Sequence, residues 1–188
     1  QEKVDLRGKR VGVIGTGATA IQLIPIVAEE AGHLTVFQRT PNYAAPCRNS
    51  EVNPETQAAW KANYPKIHKK CRETVAGFEH EFDPRSALEV SEEERLELYE
   101  KLWSQPGFTK WLGNFHDIMT NREANETFAE FVRNKIRARV HDPEVAEMLV
   151  PKDHPFGAKR IPLETHYYEA YNRDNVKLVD VRQAPIER

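Results

Sequence analysis

The first forty residues alternate between apolar runs and glycine-marked breaks in an order that reads as strand, turn, helix, strand. Val11, Val13 and Ile14 make the apolar pattern of a parallel strand buried on both faces. Residues 21–31 follow as an amphipathic helix whose stripe is Ile21, Leu23, Ile24, Ile26, Val27 and Ala28, with Gly32 in place as a C-terminal cap. Pro25 lies inside that helix and is expected to kink it or to leave carbonyls with other partners. Leu34-Thr35-Val36-Phe37 reads as a second strand, and residues 175–180 as a third.

From about residue 53 to residue 151 the pattern is helical, rich in charge and poor in strand signals. Asn53-Pro54-Glu55 and Asp142-Pro143-Glu144 each join an N-cap residue to proline and an acid in the first turn. Ser91 through Glu94 spells a capping box. Asn121 caps a long helix whose Ala124, Phe128, Phe131, Val132, Ile136 and Val140 share one face. The aromatics Trp60, Tyr64, Trp103, Phe108 and Trp111 lie among helical segments and are expected to pack.

The break after the first strand carries chemistry. In Gly15-Thr16-Gly17-Ala18-Thr19-Ala20, Gly15 permits a tight turn, Gly17 lets the backbone approach a pyrophosphate, and Ala20 is small enough for close helix-on-strand packing. The helix start adds free N–H donors and the positive end of its dipole, so a dinucleotide is the expected ligand. The fold class that follows is α/β: a Rossmann-like parallel sheet with a large helical insertion between the second and third strands. Its expected divisions are 1–52 for the first part of the nucleotide domain, 53–151 for the insertion and 152–188 for the return.

The end of the second strand refines the ligand. An NAD-binding fold normally places Asp or Glu there to accept from the ribose 2′-hydroxyl, whereas this chain has Gln38, Arg39, Thr40 and Pro41. A cation and a hydroxyl stand where a carboxylate would repel a 2′-phosphate, which favours NADPH over NADH.

Composition narrows the class further. The 188 residues are 39% apolar and 30% charged with a formal charge of −2, which suits one soluble domain and gives no general attraction to nucleic acid or an anionic membrane. Two cysteines, Cys47 and Cys71, form no CxxC pair, so neither a disulfide framework nor a zinc knuckle is indicated and a reducing cytoplasm fits. No apolar run approaches the roughly 20 residues of a membrane span. Both ends read as cut: the first residue is Gln, and residues 184–186 begin a further element with no room to finish.

Other chemistry fails on inspection. The seven histidines are scattered, no HExxH or GxSxG occurs, and no metal site is expected. His116-Asp117 and His141-Asp142 read as surface or capping pairs rather than proton relays. Arg133, Lys135, Arg137 and Arg139 follow Glu123, Glu126 and Glu130 along one helix, the order that complements its macrodipole.

Residues 155–162, Pro-Phe-Gly-Ala-Lys-Arg-Ile-Pro, form a rigid turn carrying Lys159 and Arg160. Two readings stand on the residues alone: a solvated surface pair, or a loop that returns to the nucleotide beside Arg39. Taken in order with residues 15–22 and with Val36-Phe37-Gln38-Arg39-Thr40-Pro41-Asn42-Tyr43, this turn resembles the NADPH-binding domain of flavin-dependent Baeyer-Villiger monooxygenases of the phenylacetone, cyclohexanone and steroid monooxygenase group. Residues 142–146 and 167–176 extend the resemblance over nearly the whole chain.

The resemblance implies that Arg39, Thr40 and Lys159 hold the adenosine 2′-phosphate, while Thr16, Gly17, Ala18, Thr19 and Gln22 lie along the pyrophosphate. It implies that Arg160 is the catalytic arginine, supporting hydride delivery and then the negatively charged oxygenated flavin that attacks a ketone. Ala20 stands in place of the usual third glycine. The FAD-binding GxGxxG, the FxGxxxHxxxWP signature and the later flavin segment do not occur, so this chain alone is expected to bind NADP(H) but neither FAD nor, without flavin, to catalyse. The implied partners are NADPH, a ketone, O2 and the FAD-binding domain of the same polypeptide. The competing readings are the pyridine-nucleotide domain of an N-hydroxylating or flavin-containing monooxygenase, and a non-catalytic NADP-sensing module.

Overall fold

A computed structural model describes residues 4–183, 185 and 186. In chain order its elements are β1 (Arg10–Ile14), α1 (Ala18–Glu30), β2 (His33–Gln38), β3 (Ala45–Pro46), α2 (Pro54–Glu73), α3 (Glu92–Ser104), α4 (Thr109–Leu112), α5 (Arg122–Arg137), α6 (Pro143–Leu149), β4 (Leu163–Glu164), a 3-10 turn (Glu169–Asn172) and β5 (Val176–Asp180). Ala184, in the further element expected at 184–186, lies outside the described residues.

The main sheet has the order β1-β2-β5 and is parallel throughout. Ile14 registers with Phe37, and Gln38 with Asp180, so the carboxyl ends of all three strands finish together. Between β2 and β5 the chain inserts five helices, the large helical insertion that the sequence reading placed there.

The chain divides into two compact units, one comprising residues up to Pro46 and from Glu126 onward, the other Cys47–Asn125. The core of the first is built from Ile21, Ile24, Val27 and Ala28 of α1, Leu34 and Val36 of β2, and Phe128, Val132 and Ile136 of α5, all buried. Asn175 locks the sheet to α1 by donating from Nδ2 to the carbonyls of Ala28 and Ala31, both at 2.9 Å. A charged group is buried here too: Glu164, with no exposed side-chain surface, accepts from Arg139 at 2.8 and 3.1 Å, and Arg139 also reaches Glu169 at 2.6 Å.

In the second unit Asp117 is buried and accepts from Ser86 Oγ at 2.6 Å and from the Ala87 N–H at 3.0 Å, which ties a turn to the segment before α5. Tyr99 and Phe115 meet edge to face with centroids 5.9 Å apart. The caps form as spelled: Asn53 accepts from the Thr56 N–H at 2.8 Å, and Ser91 and Glu94 complete both halves of the capping box. Asn121 accepts from the N–H groups of Glu123 and Ala124, and Asp142 from those of Glu144 and Val145.

Four expectations are corrected. Val11 and Val13 are only half-buried and Ile14 is 76% exposed, because β1 is an edge strand of this sheet among the described residues. Leu23 and Ile26 are exposed, so the buried stripe of α1 is narrower than its apolar one. The helix is capped by Ala31 in extended conformation; Gly32 serves close approach instead, since a β-carbon there would fall 2.8 Å from the Gly8 backbone. Trp60 and Tyr64 do not pack into a core: α2 has no buried residue, and Tyr64 stacks on His68 within its own helix. Pro25 is accommodated inside a helix that runs on to Glu30.

Candidate functional site

The turn after β1 is built around two glycines with different tasks. Gly15 takes φ +92°, a left-handed conformation that other residues adopt only under strain, and its N–H donates to the Phe37 carbonyl at 2.8 Å. Thr16 is buried and its hydroxyl donates to the Thr40 carbonyl at 3.3 Å, which ties this turn to the one after β2. Gly17 is the N-cap of α1 in extended conformation, and a β-carbon added there would meet nothing within 4 Å. No side chain caps α1 and no acid stands in its first turn, so the N–H groups of Ala18, Thr19 and Ala20 are left to an outside acceptor. Thr19 and Gln22 are exposed; Ala18 and Ala20 are half-buried.

At the end of β2 the side chains alternate. Gln38 points inward, donating from Nε2 to the Met148 carbonyl at 2.7 Å, while Arg39 is exposed and Thr40 half-buried. Of Gln38 and Arg39, only Arg39 is therefore free to meet a ligand. The chain next does something its pattern does not announce: β3 pairs in parallel with β4, Ala45 opposite Leu163 and Pro46 opposite Glu164. Upstream, Asn42 Nδ2 donates to the Arg160 carbonyl at 3.1 Å with the same separation of 118 positions. The segment that follows Arg39 and Thr40 thus runs beside the segment that carries Lys159 and Arg160.

Phe156 anchors that second segment. It is buried, edge-on to Phe128 at 4.8 Å and to Tyr43 at 5.4 Å, and the loop then turns at Gly157 with φ +83°. Lys159 and Arg160 emerge exposed. Pro151, which leads into the loop, is held by Arg133 Nε at 3.0 Å; Arg133 is buried and balanced by Glu126 and Glu130 at 2.6 and 2.9 Å.

Two residues that no motif marks, Asp153 and His154, join these segments through Asn42. His154 Nδ1 lies 2.6 Å from Asp153 Oδ1, and its Nε2 lies 3.2 Å from Asn42 Oδ1. The His154 contact holds the Asp153 carboxyl below the usual carboxylate range, and Lys159 adds to this by its charge. Arg182, just past β5, binds Asp180 at 2.9 to 3.2 Å and also feels the charge of Asp153. Separations of 112 and 118 positions leave no local signal by which these contacts could be found.

The other charged clusters are occupied internally. Arg137 bridges Glu130 and Glu147, Arg139 bridges Glu164 and Glu169, and Lys135 lies over the Phe131 ring. Asp142 caps α6, and the His116 ring meets the Arg85 carbonyl. Among the described residues no group of three or more His, Cys, Asp or Glu could hold a metal ion, and no helix is long and apolar enough to cross a membrane.

The residues present fit a dinucleotide: an open approach at Gly17, uncapped N–H donors behind it, and no carboxylate at residues 38–42. No protein-family model matches the chain. It is 55% identical over 98% of its length to 2-oxo-Δ3-4,5,5-trimethylcyclopentenylacetyl-CoA monooxygenase of Pseudomonas putida, and 45% identical over 98% to a Baeyer-Villiger monooxygenase of Pseudooceanicola batsensis. A solved structure of OTEMO in complex with FAD and NADP superposes with a TM-score of 0.96 at 54% identity over 98% of the chain. In each case the chain spans 34% of the other protein.

Proposed function

Homologues of this chain include Baeyer-Villiger monooxygenases, of which it spans about a third, and on that premise we propose that it is the NADP(H)-binding portion of an FAD-dependent enzyme of this kind. The whole protein inserts one oxygen atom of O2 beside a ketone carbonyl to give an ester or lactone, while NADPH supplies the hydride and the second oxygen leaves as water. The flavin, when bound by the rest of the polypeptide, accepts that hydride and activates oxygen. Its FAD-binding portion is the partner of this chain, and the cytoplasm is the proposed location.

Each residue has a stated task. Gly15 makes the turn, Ala20 packs α1 close, and Thr16, Gly17, Ala18, Thr19 and Gln22 lie along the pyrophosphate. Arg39, Thr40 and Lys159 hold the adenosine 2′-phosphate. Arg160 would act beside the flavin and nicotinamide, where a permanent charge and planar donors would stabilise an anion without giving up a proton. The observation that carries this reading is the parallel alignment of the segment after Arg39 with the one carrying Lys159 and Arg160, through Asn42 and the β3–β4 pair.

The test is NADPH- and O2-dependent conversion of a ketone panel by the complete flavoprotein that contains this chain. Ester or lactone is expected from the native enzyme and none from Arg160→Ala. Undiminished ester formation by the variant contradicts the role of Arg160, and no ester from any ketone contradicts the activity.

A further inference from the structure

Both ring nitrogens of His154 face acceptors. Asp153 Oδ1 lies 2.6 Å from Nδ1, and a carboxylate only accepts. Asn42 presents its oxygen to Nε2 at 3.2 Å, because its Nδ2 is committed to the Arg160 carbonyl at 3.1 Å; a flipped amide would set oxygen against oxygen there. A neutral imidazole has one N–H and satisfies one of these partners, whereas an imidazolium satisfies both. The His154 side chain is 9% exposed and its ring is edge-on to the buried Tyr43 at 5.4 Å, while Asp153 is 48% exposed, so the sheltered half of the link is the one to Asn42.

The link joins the segments that matter for the nucleotide. Asn42 follows Arg39 and Thr40, and Arg160 follows Lys159. We propose that His154 is a positioning residue for NADP(H): with both ring nitrogens protonated it joins Asp153 to Asn42, and through Asn42 it holds the Lys159-Arg160 segment beside the turn that carries Arg39. The proposal rests on the nucleotide-binding reading above. The charged and titratable groups around the ring are Asp153 with Lys159 and Arg182 beyond it, and Tyr43 with Arg133, Glu126 and Glu130 beyond it.

A ring with two protons completes the link, and a ring with one leaves one of the two partners unmet. The experiment follows two signals between pH 5.5 and 8.5 in the chain, in His154→Gln and in Asn42→Asp. The first is the NADP+ dissociation constant, taken as the ratio of variant to native at each pH, which cancels titration of the nucleotide's own phosphate. A His154→Gln ratio of about fivefold at low pH that falls to one at high pH is expected, the size of one hydrogen bond. Asn42→Asp, which loses the donor to Arg160, is expected to weaken binding at every pH.

The second signal needs no nucleotide: the NMR shift of the Asn42 side-chain amide is expected to follow the His154 ring titration in the native chain and to be flat in His154→Gln. A ratio independent of pH, or an Asn42 signal that ignores the ring, overturns the proposal. If the native chain binds no NADP+, the nucleotide-binding reading falls, and the Asn42 signal still decides whether His154 forms the link.

Discussion

The Thr16 hydroxyl donates to the Thr40 carbonyl at 3.3 Å, joining the turn after β1 directly to the turn after β2. Thr16 is 6% exposed, so the bond is shielded from competing water. It sets the distance between the α1 N-terminus and Arg39 before any ligand arrives. Thr16→Val keeps the shape and removes the donor. It is expected to cost about 1 kcal/mol of stability, the net value of one hydrogen bond. Because the bond orders both turns, NADP+ and NAD+ are both expected to lose affinity, NADP+ the more because it alone meets Arg39; an NAD+ affinity equal to native in paired titrations would show that Thr16 orders the 2′-phosphate side alone.

Behind the site, the buried Glu164 holds Arg139 and also accepts from the Tyr167 N–H at 3.0 Å. Glu164→Gln keeps one acceptor oxygen but removes the charge, leaving Glu169 as the only carboxylate against the Arg139 guanidinium in a largely buried place. Removing one member of a buried pair costs about 3 kcal/mol or more. Urea unfolding is expected to show the midpoint falling with the slope unchanged; a midpoint within error of native would mean the pair contributes no net stability.

Acid is expected to weaken the support of the 150s segment. Glu147, bound by Arg137 and Lys152 at 2.6 Å each, is held down to about 2 by these two partners. Its folded value lies below the unfolded one, so its contribution is complete above the unfolded value of about 4.5 and disappears as pH falls toward about 2. The side chain is 43% exposed, and solvent screening keeps the effect below about 1 kcal/mol. The melting difference between native and Glu147→Gln is expected at pH 7 and absent near pH 2; an equal difference at both would assign the effect to packing.

Much of this architecture was legible because its causes are local. The glycine turn, the caps at Asn53, Ser91, Asn121 and Asp142, and the α5 face from Ala124 to Ile136 each follow from residues within a few positions of one another. The β3–β4 pair was not, because two-residue strands carry no alternation to detect and one of them contains Pro46. Periodicity also shows that a face is apolar without showing what covers it, which is why the pattern predicts packing for Ile14, Ile26 and Trp60 although all three are exposed. Gln38 sits in the ligand motif yet turns to Met148, a partner 110 positions away. His154 and Asn42 are joined by the same kind of distant contact, and only the folded chain reveals them.

The central claim is that Arg39 and Lys159 grip a 2′-phosphate together, and calorimetric titration of NADP+ and NAD+ into the native chain, Arg39→Ala, Lys159→Ala and the double variant tests it most directly. Each single variant is expected to weaken NADP+ by about 1–3 kcal/mol, the range of a hydrogen bond to a charged group, and to leave NAD+ unchanged. The double variant, with Thr40 alone left at the 2′-phosphate, is expected to lose most of its preference for NADP+. Equal weakening of NADP+ and NAD+ by either single substitution would contradict the account.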